Sequence, residues 1–547
     1  MRYDAIVVGG GMAGLTAAAF LRQAGNSVLL LEKNNNCGGL VHSFSRNGFV
    51  YDAGVRALLD SGIISPMLKQ LGLQLELVRS KVSVGIEDQF IAVESKQDLL
   101  AYQELLAMLY PESKADVERI IRLVRKVMKN MDVLYGIENP MFRKLLSDPL
   151  YFFGTLFPWL FRFIATISRI YRMSGPVEDF LAGLSSNPSL RDIIDQHFFR
   201  KTPTFFAMSY FSLYLDYQYP PGGTGVLADT LFDYNRRQGT EIRTNTRVVS
   251  VHPREMTVKD SEGNEYAYRT LLWAADSKTL YNSIAAEQLG AAAKRRRFEK
   301  KRAELAQHRG GDSVFTLYLG VDLPPDWFAA KSHGHLFYTP DRRGLNGIHT
   351  SELDALISRL LEPAAAMMAQ AERKEMVLSW LCRFCSYTSY EISIPVLRAA
   401  SMAPENQTGL IISVLFEHEL CRLVDSAGWF DQFRTAMEDE MLKVIERSLY
   451  PGLSSHIIDR FSTSPLSIER SVGSANGAIT GWAFTGGKLP SVQKIQQSTR
   501  AVYTAIAQVY QAGQWSYSPA GVPIAILTGK LASNAMRKAL RWQRFRS

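Results

Sequence analysis

Gly9-Gly10-Gly11-Met12-Ala13-Gly14 restricts this chain more than any other segment. It lies between two short apolar runs, Ala5–Val8 and Val28–Leu31. The Ala/Leu-rich stretch Met12–Ala24 fills the interval until Gly25 stops it. Strand, glycine turn, helix and strand make a βαβ opening. Gly9 permits the tight turn, Gly11 presents no side chain to a pyrophosphate, and Gly14 lets the helix approach the strand. Met12 and Ala13 head the helix, whose free N–H groups and dipole favour an anionic group. Glu32 closes the second strand at the spacing of a carboxylate that accepts from ribose hydroxyls, and no arginine lies nearby to take a 2′-phosphate. The fold class that follows is α/β, with a Rossmann-like dinucleotide-binding domain.

Composition narrows the rest. Across 547 residues, 46 % hydrophobic and 21 % charged side chains exclude disorder, collagen and coiled coil as the main architecture. Four cysteines exclude a disulfide scaffold and suit a reducing compartment. The N-terminus has no charged-then-apolar signal region, which places the protein on the cytoplasmic side. Leu150–Phe161 is almost wholly apolar and carries Tyr151, Phe152, Phe153, Phe157, Trp159 and Phe161, with Arg143, Lys144, Arg162, Arg169 and Arg172 around it. Interrupted by Gly154 and Pro158, the run reads as too short to span a bilayer. It reads either as a peripheral contact lying in the membrane interface or as a buried wall of a substrate domain.

A net charge of +9 favours anionic partners. The basic tail from Arg537 to Ser547, with Leu540, Trp542 and Phe545 interleaved, offers a second lipid contact. The basic cluster at 294–302 reads as a solvated helix face, and no motif supports nucleic-acid binding.

Elsewhere, Lys114–Lys129 has a helical stripe of Val117, Ile120, Ile121, Val124 and Val127. Gly225–Arg236 and Ala291–Leu305 read as helices. Glu241–Val251, Glu255–Lys259, Tyr266–Ala274, Ser313–Val321 and Gly409–Phe416 read as strands. No catalytic residue is assigned: His42, Asp52, Arg56, His333 and His335 are candidates whose bland reading is structural. Cys382-x-x-Cys385 reads as strand and lacks the second pair of a zinc site, so no metal is expected. The absence of a Gly-x-Ser-x-Gly elbow disfavours a hydrolase.

Gly38-Gly39 follows Glu32 by six and seven residues, and Leu15, Ala17, Ala18, Leu21, Gly25, Val28 and Leu30 fill the places between. The whole pattern resembles the signature of FAD-binding amine oxidases and carotenoid desaturases. Later segments resemble the phytoene desaturase branch, which also holds carotenoid isomerases and retinol saturases: Gly48–Gly54, Tyr219–Gly225, the strand carrying Val248, Trp273–Asp276, Ser393–Pro404, Asn476–Trp482 and the loop Ala512–Pro523. Leu40 replaces a basic residue frequent there, and Gly513-Gln514 replaces Gly-Asp.

The resemblance implies FAD, held by Gly9, Gly11, Met12, Ala13, Gly14, Glu32, Lys33, Gly38, Gly39, Val248, Gly513 and Val522. It implies a discontinuous FAD domain (1–80, 220–290, 460–547) beside a mixed α+β substrate domain with the membrane contact (81–219, 291–459). The activity implied is oxidation of a long apolar isoprenoid polyene by hydride transfer to flavin, with a quinone or oxygen as electron acceptor. A polyene needs an apolar tunnel rather than a strong base, because charge left on it delocalises. Isomerisation and saturation use the same class of site. A flavin amine oxidase is a further reading, and an isoprenoid-binding escort protein is the non-enzyme alternative. A single dinucleotide fingerprint leaves no resident NAD(P)H site.

Overall fold

A computed structural model describes residues 2–143, 148–196, 198–348, 350–363 and 368–544. Arg2–Val8 is a central strand of the first of two seven-stranded sheets. It pairs in parallel with Val28–Leu31 on one side and Glu265–Trp273 on the other. Glu241–Arg243 extends the sheet beyond Val28–Leu31, and Val509–Gln511 adds to the far end of Glu265–Trp273, both in parallel. Strands covered on both faces need no polar alternation, and Ala5, Ile6, Val7, Leu29 and Leu30 are all fully buried. The antiparallel strands Val248–His252 and Thr257–Asp260 complete the sheet.

The Met12–Gln23 helix packs on this sheet with nearly every side chain buried, because alanines keep it narrow. The final helix, Val522–Arg544, lies across it. At their crossing a Cβ on Gly529 would stand 2.4 Å from the Ala13 carbonyl oxygen, so this contact requires glycine. The segment Glu241–Val251, which reads as one strand, is two. Asn245, in the left-handed conformation, breaks it. The break lets the amides of Asn245 and Thr246 donate to the Asn34 and Glu32 carbonyls.

The second sheet runs Ile457–Thr463, Ser313–Val321, Thr408–Phe416, Tyr390–Ser393, His335–Thr339, Val82–Ile86, Gln89–Val93. Only His335–Thr339 and Val82–Ile86 pair in parallel. Alternation assigns the faces. Phe315, Leu317, Leu319 and Val321 join the core built with the helices Gln370–Tyr387 and Phe430–Ser448. Tyr318 points the other way, into a small aromatic cluster with Phe49 and Tyr51. That cluster couples the second sheet to the loops of the first. The Lys114–Tyr135 helix buries all five residues of its stripe.

Two further expectations are corrected. Cys382 and Cys385 lie on the Gln370–Tyr387 helix, not a strand. Burial pushes the Cys385 thiol well up, and its sulfur packs 3.8 Å from that of Met437. The apolar run is not short: it continues as 23 helical residues, Pro149–Tyr171, with a five-residue π-type segment at Phe152–Leu156. By length and composition this helix is sufficient to cross a membrane. It is not a buried wall. Leu150, Phe153, Phe157, Leu160, Phe161 and Ile164 are exposed, Leu150 to 86 % and Phe153 to 68 %. Lys144 and residues 545–547 of the tail lie outside the described residues.

Candidate functional site

The glycine turn delivers the start of the Met12–Gln23 helix to the carboxyl end of the first sheet, where ligands of open α/β sheets bind. Gly9 adopts a positive φ of 101°, and a Cβ there would meet the Ala274 carbonyl oxygen at 2.9 Å. At Gly14 a Cβ would fall 1.9 Å from the Gly9 carbonyl oxygen. Gly11 differs: no atom lies within 4 Å of its Cβ position, and no side chain caps the helix that follows it. The first-turn N–H groups thus have no side-chain cap.

Gly38 and Gly39 close the opposite side. The Gly38 N–H donates to the Gly10 carbonyl at 2.9 Å, and the Cβ position of Gly39 is 3.5 Å from the Gly11 Cα. Gly513 arrives from the C-terminal loop, its Cβ position 3.5 Å from Ala13 Cβ, and its N–H is held by Thr528 Oγ1 at 2.9 Å. The structure thus brings Gly9, Gly11, Met12, Ala13, Gly14, Gly38, Gly39 and Gly513 together. Val522 begins the final helix behind them.

Glu32 is buried at the rim. Its two oxygens accept from the Gly10 N–H at 2.7 Å and the Asn34 N–H at 2.9 Å, so it also rigidifies the turn. Val248 follows directly on the 244–247 segment that is bonded to Glu32 and Asn34, which sets it beside the same rim. The Lys33 side chain goes elsewhere. Its ammonium donates to the Arg470 carbonyl at the end of the Pro465–Val472 helix, a favourable place for a cation.

Sequence reasoning missed Cys37. It lies behind Gly10, where a Cβ would meet its sulfur at 2.6 Å. Burial, with Glu32 and Asp229 nearby, pushes its thiol up to about 12, so it is an inert packing group.

Asp52 is fully buried and accepts four hydrogen bonds: from Ser43 Oγ at 2.8 Å, Tyr219 OH at 2.8 Å, and Thr224 N–H and hydroxyl at 2.7 and 3.0 Å. It therefore pins the Gly48–Gly54 segment to the Tyr219–Gly225 turn, a structural task. Arg56 is structural too. It donates to the Asp52 carbonyl, to Ser413 Oγ at 3.2 Å and to Thr316 Oγ1 at 3.4 Å, tying the cofactor half to the second sheet. Burial lowers the His42 pKa, so this imidazole is neutral. His335 is 1 % exposed and stacked against Tyr217 and Phe337. Its Nε2 is 3.0 Å from Glu391 Oε1, and burial holds its pKa down. A carboxylate only accepts, so the Nε2 carries the proton.

Residues 12–355 match the family described as flavin containing amine oxidoreductase. The chain belongs to that family. It is an FAD-dependent oxidoreductase, and the open cradle at Gly11, facing an uncapped helix N-terminus, fits an FAD pyrophosphate.

Among similar proteins is prolycopene isomerase of Daucus carota, 24 % identical over 83 % of this chain and 68 % of its own. The 4,4′-diapophytoene desaturase of Staphylococcus aureus is 22 % identical over 97 % of this chain and 98 % of its own. An oxidoreductase from Methanosarcina mazei has the same fold, with a TM-score of 0.60 at 13 % identity over 98 % of this chain and all of its own.

Proposed function

We propose that this flavoenzyme acts on a long apolar isoprenoid polyene, as a desaturase. The observation that carries the reading is relatedness along nearly the whole chain to a desaturase of that substrate class. The candidates Asp52 and Arg56 are both committed to structural bonds, which agrees with a reaction that needs no strong base from them. Carotenoid isomerisation is the second reading, favoured by the similarity to prolycopene isomerase.

In this reading, the N–H groups of Met12, Ala13 and Gly14 hold the pyrophosphate, with Gly11 and Gly39 leaving room for it. Glu32 accepts from the adenosine ribose, and Val248 contacts the adenine through its backbone. Gly513, with Val522 behind it, borders the flavin end, while Lys33 contributes backbone only. Bound FAD supplies the two-electron exchange with substrate. The protein's share is orientation and exclusion of water; electrons leave to an acceptor such as a quinone or oxygen.

The exposed stripe of the Pro149–Tyr171 helix serves as a peripheral contact with the membrane from which such a substrate is drawn. Leu150, Phe153, Phe157, Leu160, Phe161 and Ile164 recur every three or four residues along one face. Trp159 anchors the other face through its indole N–H on the Val133 carbonyl.

A visible spectrum of the purified protein, followed by anaerobic addition of polyenes, tests the function. Flavin bands that bleach on adding a polyene support desaturation. Flavin that stays oxidised, with product formed only after chemical reduction, selects isomerisation. Flavin indifferent to every polyene in both redox states rules out the substrate class.

A further inference from the structure

In the strand Tyr390–Ser393, Tyr390 and Ile392 point into the helix-backed core. Glu391 therefore points the other way, towards the cofactor half. Phe337 and Ser413 lie opposite it on the two neighbouring strands. The Tyr214 ring covers Phe337 with centroids 4.7 Å apart, Tyr217 covers His335 at 5.1 Å, and Arg56 donates to Ser413 Oγ at 3.2 Å. These groups roof the sheet on both sides of Glu391, yet its side chain stays 34 % exposed. That open surface looks into the gap between the second sheet and the cofactor half.

The two carboxylate oxygens differ. Oε1 is 3.0 Å from His335 Nε2, which holds the proton between them. Oε2 has no hydrogen-bond partner among the described residues and is not shut off from water. Burial alone would raise the Glu391 pKa, but the His335 hydrogen bond and the charges of Arg56 and Arg398 outweigh it and hold the carboxyl below its ordinary range. Glu391 is thus ionised, fixed by one oxygen and free at the other.

Its strand is tied to the cofactor cradle. Leu40, which follows Gly39, accepts from the Val55 N–H at 3.0 Å. The Arg56 carbonyl, next in the same loop, accepts from Arg398 Nη1 at 2.7 Å, and Arg398 also donates to Ser393 Oγ.

We propose that Glu391 Oε2 is the proton acceptor of the desaturation, with His335 as its positioning residue. The assignment rests on the polyene reading above. One substrate C–H gives up hydrogen with its electron pair, which reduces bound FAD by two electrons. The C–H on the adjacent carbon then loses a proton to Oε2, and its electron pair becomes the second bond of the new C=C. The carboxylate ends as a carboxyl. A weak base suffices, because a proton beside a carbocation is strongly acidic.

Anaerobic stopped-flow mixing of the flavin-loaded protein with a polyene that bleaches its flavin tests this. Glu391→Gln keeps the side-chain shape, and its amide oxygen can still accept from His335. It should slow bleaching about hundredfold or more, with flavin content unchanged and with the polyene Kd, read from the shift of the polyene's own absorption band, also unchanged. Glu391→Asp should bleach faster than Glu391→Gln. Infrared difference spectra of a single turnover should show one carboxylate becoming a carboxyl in the wild type and none in Glu391→Gln. A Glu391→Gln protein that bleaches at the wild-type rate, one whose slower rate follows only from weaker polyene binding, or a wild-type turnover that protonates no carboxylate overturns the assignment and leaves the polyene reading standing. Wild-type flavin that no polyene bleaches removes both.

Discussion

Gly11 and Gly14 are three residues apart and fail differently when given a side chain. Gly11 has φ −73° and open space at its Cβ position, so Gly11→Val should fold normally. Its branched side chain would stand where the pyrophosphate lies, and the purified protein should lack flavin absorbance while its far-UV dichroism is unchanged. Gly14→Ala would drive a methyl into the Gly9 carbonyl and should lower soluble yield and melting temperature together. Full flavin content in Gly11→Val would remove the pyrophosphate assignment. Lys530 offers a separate test. It is 5 % exposed, its ammonium 3.4 Å from the Phe20 ring centroid, and burial lowers its pKa to about 8. A base with a depressed folded pKa binds more protons when unfolded, so its penalty is full below pH 8 and fades as pH rises towards 10.5. Lys530→Met should therefore be more stable by about 1 kcal/mol at neutral pH, and the gap should close in denaturant melts above pH 8.

The elements were legible where their signal is local. The opening βαβ unit and the Lys114–Tyr135 stripe depend on near neighbours, and both stand as read. The Cys382–Cys385 segment reads as strand because its aromatic and cysteine residues have strand-like propensity, yet it is the end of the Gln370–Tyr387 helix. The buried set Val377, Trp380, Leu381, Phe384 and Cys385 has the helical spacing that decides the matter. Gly529 was available as a clue, since an isolated glycine inside a helical pattern marks a close approach. Exposure of the Pro149–Tyr171 helix could not be read, because an apolar run looks alike whether its partner is protein or lipid. Phe153→Ser combined with Phe161→Ser should weaken sedimentation with anionic liposomes by at least about tenfold, without affecting flavin content. Wild-type protein that stays in the supernatant would remove the membrane role.

At the scale of the molecule, the cofactor half was visible in the sequence through spaced glycines, whereas the Asp52 and Arg56 contacts were not. Asp52 meets Thr224, and Arg56 meets Thr316 and Ser413. Such pairings across hundreds of residues leave no periodic trace in one chain.

The same long-range pairing has a consequence for biosynthesis. Arg2–Val8 is made well before Glu265–Trp273, with which it pairs and which in turn pairs with Val509–Gln511. At roughly 5–20 residues per second, about half a minute to two minutes separate the first and last of these strands. During the first half of that time one edge of the nascent parallel core is bare and open to wrong partners. Capture of FAD therefore waits for Val509–Gln511 and the Gly513 loop that follows it, and supply of the cofactor should govern how much newly made protein survives rather than how fast it is made.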